Sequence, residues 1–411
     1  MRKGLTKINF FFLLAIIVYI PFQSLAAEIL SSFGLNSSLV FWVSHFYEPI
    51  LLILALISFI IFLTKKISAP LIYLVLAILL LGLCSFLWSH DIGRSLEGFR
   101  FTLLFLAGLF VAMVWPFSQE EKNKLGKVFI LVSLIVALGA ILERFLPSHY
   151  WQMIGLSYDF GYGNFMVGNF FRSLSFLGGP NQLGSYLLPA FFIALFNLNK
   201  LLSSRKSQCF VLITLFLGIF LSMSRAAFIG LAFGLLIYII SVNIKRWKIL
   251  LTVVFGLSLL ILFSYQLYNS SLIFKDFIIH GQSQFLHLTA LQSSWQYFKE
   301  LDIFDKIFGI GLGTAGPLAV KYGEGIVSES WFFQIIFEMG VAGFILWLTL
   351  FVLILIGLVR KKMFGLFYAL ISVIITSLFL HTLADNPALS YSLFILIGLS
   401  LNHTKYEENT N

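Results

Sequence analysis

The sequence predicts an all-α, polytopic integral membrane protein with about 12 transmembrane helices. Three observations predict it. Of 411 residues, 59% are apolar and 11% charged, whereas soluble domains carry about 25% charged residues. The apolar residues gather in runs of roughly 13 to 28, near the length a helix needs to cross a hydrocarbon core about 30 Å thick. Lys/Arg clusters separate these runs, as on the cytoplasmic side of membrane proteins. The net charge of +9 follows from that sidedness, not from nucleic-acid binding. The two cysteines, Cys84 and Cys209, fall in apolar runs without CxxC spacing, so neither a zinc site nor a disulfide framework is indicated.

The first span is Ile8–Phe22, after Arg2, Lys3 and Lys7. Ser24-Leu25-Ala26-Ala27 fits a signal-peptidase site; an uncleaved first helix is the preferred reading, and later topology is the same either way. The second span is Leu39–Leu63, closed by Lys65-Lys66, and the third is Ala69–Trp88. An outer loop, Ser89–Arg100, leads to the fourth, Phe101–Phe117; an inner loop, Gln119–Lys127, leads to the fifth, Val128–Leu146. A long outer segment, Pro147–Gln182, precedes the sixth, Leu183–Leu198.

The run Cys209–Val242 supplies two spans. As one helix it would measure about 51 Å, too long for one crossing. It is flanked on both sides by cations (Lys200, Arg205 and Lys206; Lys245, Arg246 and Lys248) and broken only at Ser222-Met223-Ser224-Arg225. Two like-signed flanks require the chain to go out and return, with Arg225 near the outer apex. The ninth span is Ile249–Leu267. A large outer loop, Tyr268–Ser330, then separates spans nine and ten; within it Phe285, Leu288, Leu291, Trp295 and Phe298 recur at helical spacing and predict an amphipathic interfacial helix. The tenth span is Trp331–Leu358, the eleventh Phe364–Leu383 and the twelfth Leu389–Leu401. The chain thus divides into residues 1–146 (spans 1–5), 147–358 (outer loops and spans 6–10) and 359–411 (spans 11–12 and a tail).

An even number of spans puts both termini in the cytoplasm. Inner segments then hold 18 Lys and Arg and outer segments 9, as the positive-inside bias requires. The inner cations are mostly lysine clusters; several outer ones are single arginines, among them Arg172 and Arg225. A guanidinium grips phosphate as a planar fork, where an ammonium is a point charge. Arginine placed at membrane depth is costly without an anionic partner. Two readings stand for Arg225: it snorkels to lipid headgroups, or it belongs to an anion site open to the outer side.

Four segments occur in order: Arg172-Ser-Leu-Ser-Phe-Leu-Gly-Gly-Pro-Asn181, Ser222-Met-Ser-Arg225, Phe308-Gly-Ile-Gly-Leu-Gly313, and Glu329-Ser-Trp-Phe-Phe-Gln-Ile-Ile-Phe-Glu338-Met-Gly340. On a background of about twelve spans with a large outer loop, this set resembles the O-antigen ligase and O-antigen polymerase family of bacterial envelope proteins, over residues 171–358. The resemblance implies a multi-pass protein of the bacterial inner membrane. It implies a glycosyltransferase that moves glycan from a polyprenyl-diphosphate carrier to an acceptor hydroxyl on the outer face. The acceptor is the next lipid-linked repeat unit in a polymerase and the lipid A core in a ligase. No cofactor, nucleotide sugar or metal is implied, because the diphosphate already activates the sugar.

That chemistry assigns roles. A diphosphate leaving group gains negative charge in the transition state, and preorganised guanidinium donors stabilise it. Arg225 matches the family's characteristic arginine and is the expected diphosphate ligand, with Arg172 assisting unless it is an ordinary surface charge. The acceptor hydroxyl needs a base. Where ligases carry His-Asn before the tenth span, this chain has Glu329-Ser330, so Glu329 is the candidate base; its alternative is a solvated residue favoured at a helix N-terminus. The missing histidine tilts the reading towards polymerase. His287 stands roughly where family members carry a further arginine, as a phosphate ligand or an ordinary loop histidine. Gly311 and Gly313, in a turn with Gly309, are read as offering backbone amides to a ligand. Asn181 is read as a sugar contact or a helix cap, and Tyr322 as a sugar contact. His381 and Asp385-Asn386 line a cavity mouth or a wet loop.

Two alternatives stay open. One is ligation of glycan to lipid A core or to a protein. The other is transport of a small, bicarbonate-like anion, against which stand the near absence of carboxylates within the spans and of an inverted repeat.

Overall fold

The computed structural model describes residues 2–65, 69–89, 91–145, 166–167, 170–201, 204–241, 281–323 and 329–402. The described chain is helical throughout, apart from a two-residue antiparallel pairing of Met166–Val167 with Phe170–Phe171. Among these residues, five helical segments are long and apolar enough to cross a bilayer: Gly4–Ser32, Tyr47–Thr64, Pro70–Leu87, Gln119–Phe145 and Trp331–Arg360. A sixth arises if Ile92–Thr102 and Phe105–Val114, bent by 50°, count as one. Helices Arg225–Ser241, Phe364–Ser377 and Pro387–Leu401 are apolar but shorter. The ninth expected span and most of the first long outer segment lie outside the described residues.

Several expected boundaries shift for identifiable reasons. The first helix does not stop at Phe22: a 3-10 turn at Ile20–Phe22 carries Pro21, and a helix resumes as Gln23–Ser32. The second expected span is split into Ser37–Ser44, capped by the Asn36 side chain, and Tyr47–Lys65. The expected outer loop Ser89–Arg100 is itself mostly helix, Ile92–Thr102, started by Asp91, whose carboxylate accepts the Arg94 N–H at 3.0 Å. The expected inner loop Gln119–Lys127 is the first part of helix Gln119–Phe145. A helix is present where one was expected, over Gly281–Glu300, with Leu291 and Trp295 exposed. The run Cys209–Val242 breaks where expected, into helices Arg205–Leu221 and Arg225–Ser241.

Burial sorts the helices. Phe105–Val114 is buried at every position and Pro387–Leu401 at nearly every one, as befits helices apolar all round. They pack on each other closely enough that a Cβ on Gly398 would meet the Leu109 carbonyl at 2.6 Å. By contrast, helix Tyr47–Lys65 exposes Leu52, Ile53, Leu56 and Ile60, and helix Arg205–Leu221 exposes Phe210, Ile213 and Phe220. Such faces have no counterpart on water-soluble surfaces, which rarely expose contiguous apolar patches above a few hundred Å²; a bilayer is the solvent that suits them.

Small residues set the packing that positions the outer turns. On helix Arg225–Ser241, Gly230 and Gly234 face Thr376 and Ser372, where added Cβ atoms would come within 2.3 and 2.2 Å of the two hydroxyls. Small residues four apart are the means by which helices approach in an apolar solvent. Helix Trp331–Arg360 kinks at Gly340, whose φ of 68° favours glycine.

Candidate functional site

The site is built around the first turn of helix Pro180–Leu201. On one side lies the turn Ser222–Ser224, with Met223 in the left-handed region at φ 48°. This turn beds directly on Gly184, where a Cβ would sit 2.7 Å from the Ser222 hydroxyl and 2.8 Å from Ala227 Cβ. The segment after the β pairing is held from below by Glu143, whose carboxylate accepts the Leu174 and Ser175 N–H groups at 3.1 and 2.8 Å. That leaves Arg172 at the rim of the turn. Its Nε donates to the Ser222 carbonyl at 3.1 Å and its Nη2 to Asn181 Oδ1 at 2.8 Å.

Arg172 is half-buried. Burial, and then the charge of nearby Arg225, lower its pKa to about 10. Its two hydrogen-bond acceptors are neutral groups. Arg172 and Arg225 are therefore held within electrostatic reach of each other at partial burial, and their repulsion disfavours the charged form of Arg172. Asn181, expected to touch sugar or cap its helix, orients Arg172 with its side-chain oxygen.

On the other side of the same helix turn lies the connection between helices Phe364–Ser377 and Pro387–Leu401. Gln182 Nε2 donates to the Asp385 carbonyl at 2.6 Å. Asn386 donates to the Gln182 carbonyl at 2.8 Å and caps its own helix by accepting the Leu389 N–H. The Asp385 carboxyl has no ion pair among the described residues. Burial, with the nearby Glu329 charge adding to it, pushes its pKa up to about 7. Glu329 sits just before Ser330, the residue that starts helix Trp331–Arg360, and adopts a left-handed φ of 54°. The helix start is fixed by the Trp331 N–H donating to the Leu380 carbonyl at 3.2 Å. Glu329 and Asp385 are thus electrostatic neighbours. Hydrogen bonds join Arg172 to Asn181 and Gln182 to the Asp385 carbonyl, while Arg225 acts on Arg172 and Glu329 on Asp385 through charge.

Asp385 also lines a cavity of about 490 Å³, together with His45, Glu97, Arg100, Lys321 and Gln334. Its cations have anionic partners. Arg100 pairs with Glu48 at 2.9 Å and lies over the Phe41 and Phe101 rings. Lys321 pairs with Glu97 at 2.8 Å. His45 has a pKa lowered by burial and then by Arg100, so it favours the neutral form. Asp385 is the cavity's carboxyl without a cation, which makes it the group most able to change protonation there.

The glycine turn has a different role from the one expected. Gly309, Gly311 and Gly313 all have φ between 78° and 106°, but the Gly313 N–H donates inward to Glu338 Oε1 at 3.1 Å. Glu338 also accepts from Thr102 Oγ1 at 3.0 Å and Gln334 Nε2 at 3.1 Å. Arg94 Nε donates to the Gly313 carbonyl at 2.8 Å, and Gly98 is pressed so close that a Cβ would lie 2.3 Å from Gly313 N. The turn thus clamps helix Ile92–Thr102 to the kink of the long helix, and the Gly313 amide is committed to Glu338. Gly311 has Ser89 beside it at ordinary van der Waals distance. Tyr322 stands beside the cavity wall, its ring approached by Arg94 at 5.7 Å and Lys321 at 5.5 Å. His287 falls on helix Gly281–Glu300; its side chain lies outside the described residues.

His381 Nδ1 donates to Gln334 Oε1 at 2.9 Å, and Gln334 Nε2 donates to Glu338, so a buried line of polar groups runs from His381 through Gln334 to Glu338. Sequence reasoning raised Asp385 only as a rim residue. Its signal was the Asp-Asn-Pro at a helix start, which reads as a turn and nothing more. No protein-family model matches the chain, and no curated protein matches it.

Proposed function

We propose that this chain is a membrane glycosyltransferase of the O-antigen polymerase and ligase type, with about 12 spans and both termini in the cytoplasm. It transfers glycan from a polyprenyl-diphosphate carrier to an acceptor hydroxyl on the outer face of the bacterial inner membrane. The reading is supported above all by one arrangement: two mutually repelling arginines and two neighbouring carboxylates flank a single helix turn. In this proposal Arg225 and Arg172 hold the diphosphate. The acceptor oxygen attacks the anomeric carbon and the bond from that carbon to the diphosphate oxygen breaks. The lipid diphosphate leaves with the electron pair, and the acceptor proton passes to the Glu329–Asp385 pair.

The Asp385 carboxyl, pushed up to about 7 by burial and then by the Glu329 charge, is poised both to accept that proton and to release it. Glu329 remains the base named by its place in the motif; Asp385 takes the acceptor proton together with it and lines the cavity where an acceptor sugar would lie. Growth of the chain on the next lipid-linked repeat unit is favoured over ligation to lipid A core, because the histidine of ligases is replaced by Glu329. The test is reconstitution of the purified chain in nanodiscs with a lipid-diphosphate-linked repeat unit. Release of polyprenyl diphosphate together with lengthened glycan is the expected result. Neither product, with folded protein, refutes the assignment.

A further inference from the structure

At the end of the bundle opposite the arginine turn, four helices leave a second cavity of about 470 Å³, within the range of small-molecule sites. Three ammonium groups line it: Lys122 and Lys127 from helix Gln119–Phe145, and Lys361 at the end of helix Trp331–Arg360. Among the described residues no Asp or Glu lines it. Among the described residues none of the three lysines forms an ion pair. Lys122 and Lys361 lie close enough to repel each other. The nearest acidic side chain in sequence, Glu121, is turned back to accept from the Ser118 N–H and hydroxyl at 2.7 and 2.9 Å. Lys361 is steered by donating to the Asn402 carbonyl at 2.8 Å. Asn197, also in the wall, donates to its own helix at the Ile193 carbonyl.

The rest of the wall is aliphatic: Ile130, Ile193, Leu366, Leu396 and Leu399. A site with uncompensated cations at its mouth and hydrocarbon behind them is complementary to a molecule with the opposite arrangement. We infer that this cavity is a binding site for the phosphate headgroup of an anionic membrane phospholipid, held by Lys122, Lys127 and Lys361 with an acyl chain against Ile193 and Leu396. The inference does not depend on the glycosyltransferase reading, because it uses none of the groups at the arginine turn.

The test is native mass spectrometry of the full chain released from micelles that contain equal amounts of phosphatidylglycerol and phosphatidylcholine. Wild-type protein retains phosphatidylglycerol in preference. Each lysine near an anionic headgroup contributes about fivefold in affinity. Lys122→Gln combined with Lys127→Gln therefore lowers the affinity for phosphatidylglycerol about twenty-five-fold, and Lys122→Arg with Lys127→Arg retains it. The arginine pair also controls for folding, since it keeps charge and length. Equal retention of the two lipids by wild type, or unchanged retention by the glutamine pair, overturns the inference. Displacement of the lipid by millimolar inorganic phosphate assigns the site to a free anion and overturns the lipid part.

Discussion

Replacing Asp385 by asparagine separates chemistry from folding. Burial, and then the Glu329 charge, push the Asp385 carboxyl up to about 7, so at about pH 6 only about a tenth of it is ionised. If the Glu329–Asp385 pair takes the acceptor proton, the wild-type transfer rate falls about tenfold between roughly pH 8 and pH 6, its logarithm approaching a slope of one only below about pH 6. Asp385→Asn removes that ionisation and lowers the rate by about 10²- to 10⁴-fold. Stability moves the other way. The folded state binds more protons than the unfolded chain between about pH 4 and pH 7, so the carboxyl costs stability as pH rises through that window. The full difference in pKa corresponds to about 4 kcal/mol, and because Asp385 is only half-buried, solvent screening cuts this to about 1–2 kcal/mol. The asparagine variant should therefore melt higher than wild type at about pH 8 while transferring glycan far more slowly. The assay is polyprenyl diphosphate release in nanodiscs alongside a thermal scan. A variant with wild-type rate, or a wild-type profile flat from about pH 5.5 to 8, refutes the reasoning.

Other substitutions follow from the same contacts. Arg225→Ala and Arg172→Ala should each lower transfer by about 10²- to 10³-fold, measured as product release at saturating lipid-linked donor. Arg172→Lys should recover little of that loss, because an ammonium cannot bridge Ser222 and Asn181 as the guanidinium does. Arg100→Met leaves Glu48 buried without its cation and should destabilise the protein by about 3–5 kcal/mol, read as a lower melting temperature. Gly340→Ala meets the Ile307 carbonyl at 2.2 Å and a φ of 68°; it should cost at least about 2 kcal/mol and loosen the kink, seen as faster hydrogen exchange at Ile310, whose N–H donates to the Phe337 carbonyl.

Much of the helical pattern was legible because period and length are local properties. The break at Ser222–Ser224 followed from too long an apolar run between two cationic flanks, and the helix Gly281–Glu300 from residues recurring every three or four positions. The helix Ile92–Thr102 was missed because Asp91, Arg94, Glu97 and Arg100 made its sequence look like a wet loop; its charges are consumed by partners distant in the chain, Glu48 for Arg100 and the Gly313 carbonyl for Arg94. The same limit applies to the site. Arg225 and Arg172 stand out singly, but their proximity depends on Gly184 admitting the hairpin turn. The role of Gly313 was misread because the amide's partner, Glu338, lies about two helix turns inside a span, where the sequence marks only an isolated acid. Asp385 could not be ranked because its environment is assembled from residues 41, 97, 317, 334 and 385, which no local pattern relates.

The central claim is that the chain transfers glycan from a lipid diphosphate. It is tested most directly by deleting the gene in its host, extracting the polyprenyl-linked glycans and sizing them, with Arg225→Ala supplied back as the comparison. Accumulation of single lipid-linked repeat units with loss of long chains, unrelieved by the Arg225→Ala protein and reversed by wild type, is the predicted result. Long lipid-linked chains that never reach their acceptor indicate ligation and remove Glu329 from the base's role. A lipid-linked pool of unchanged amount and length contradicts the claim.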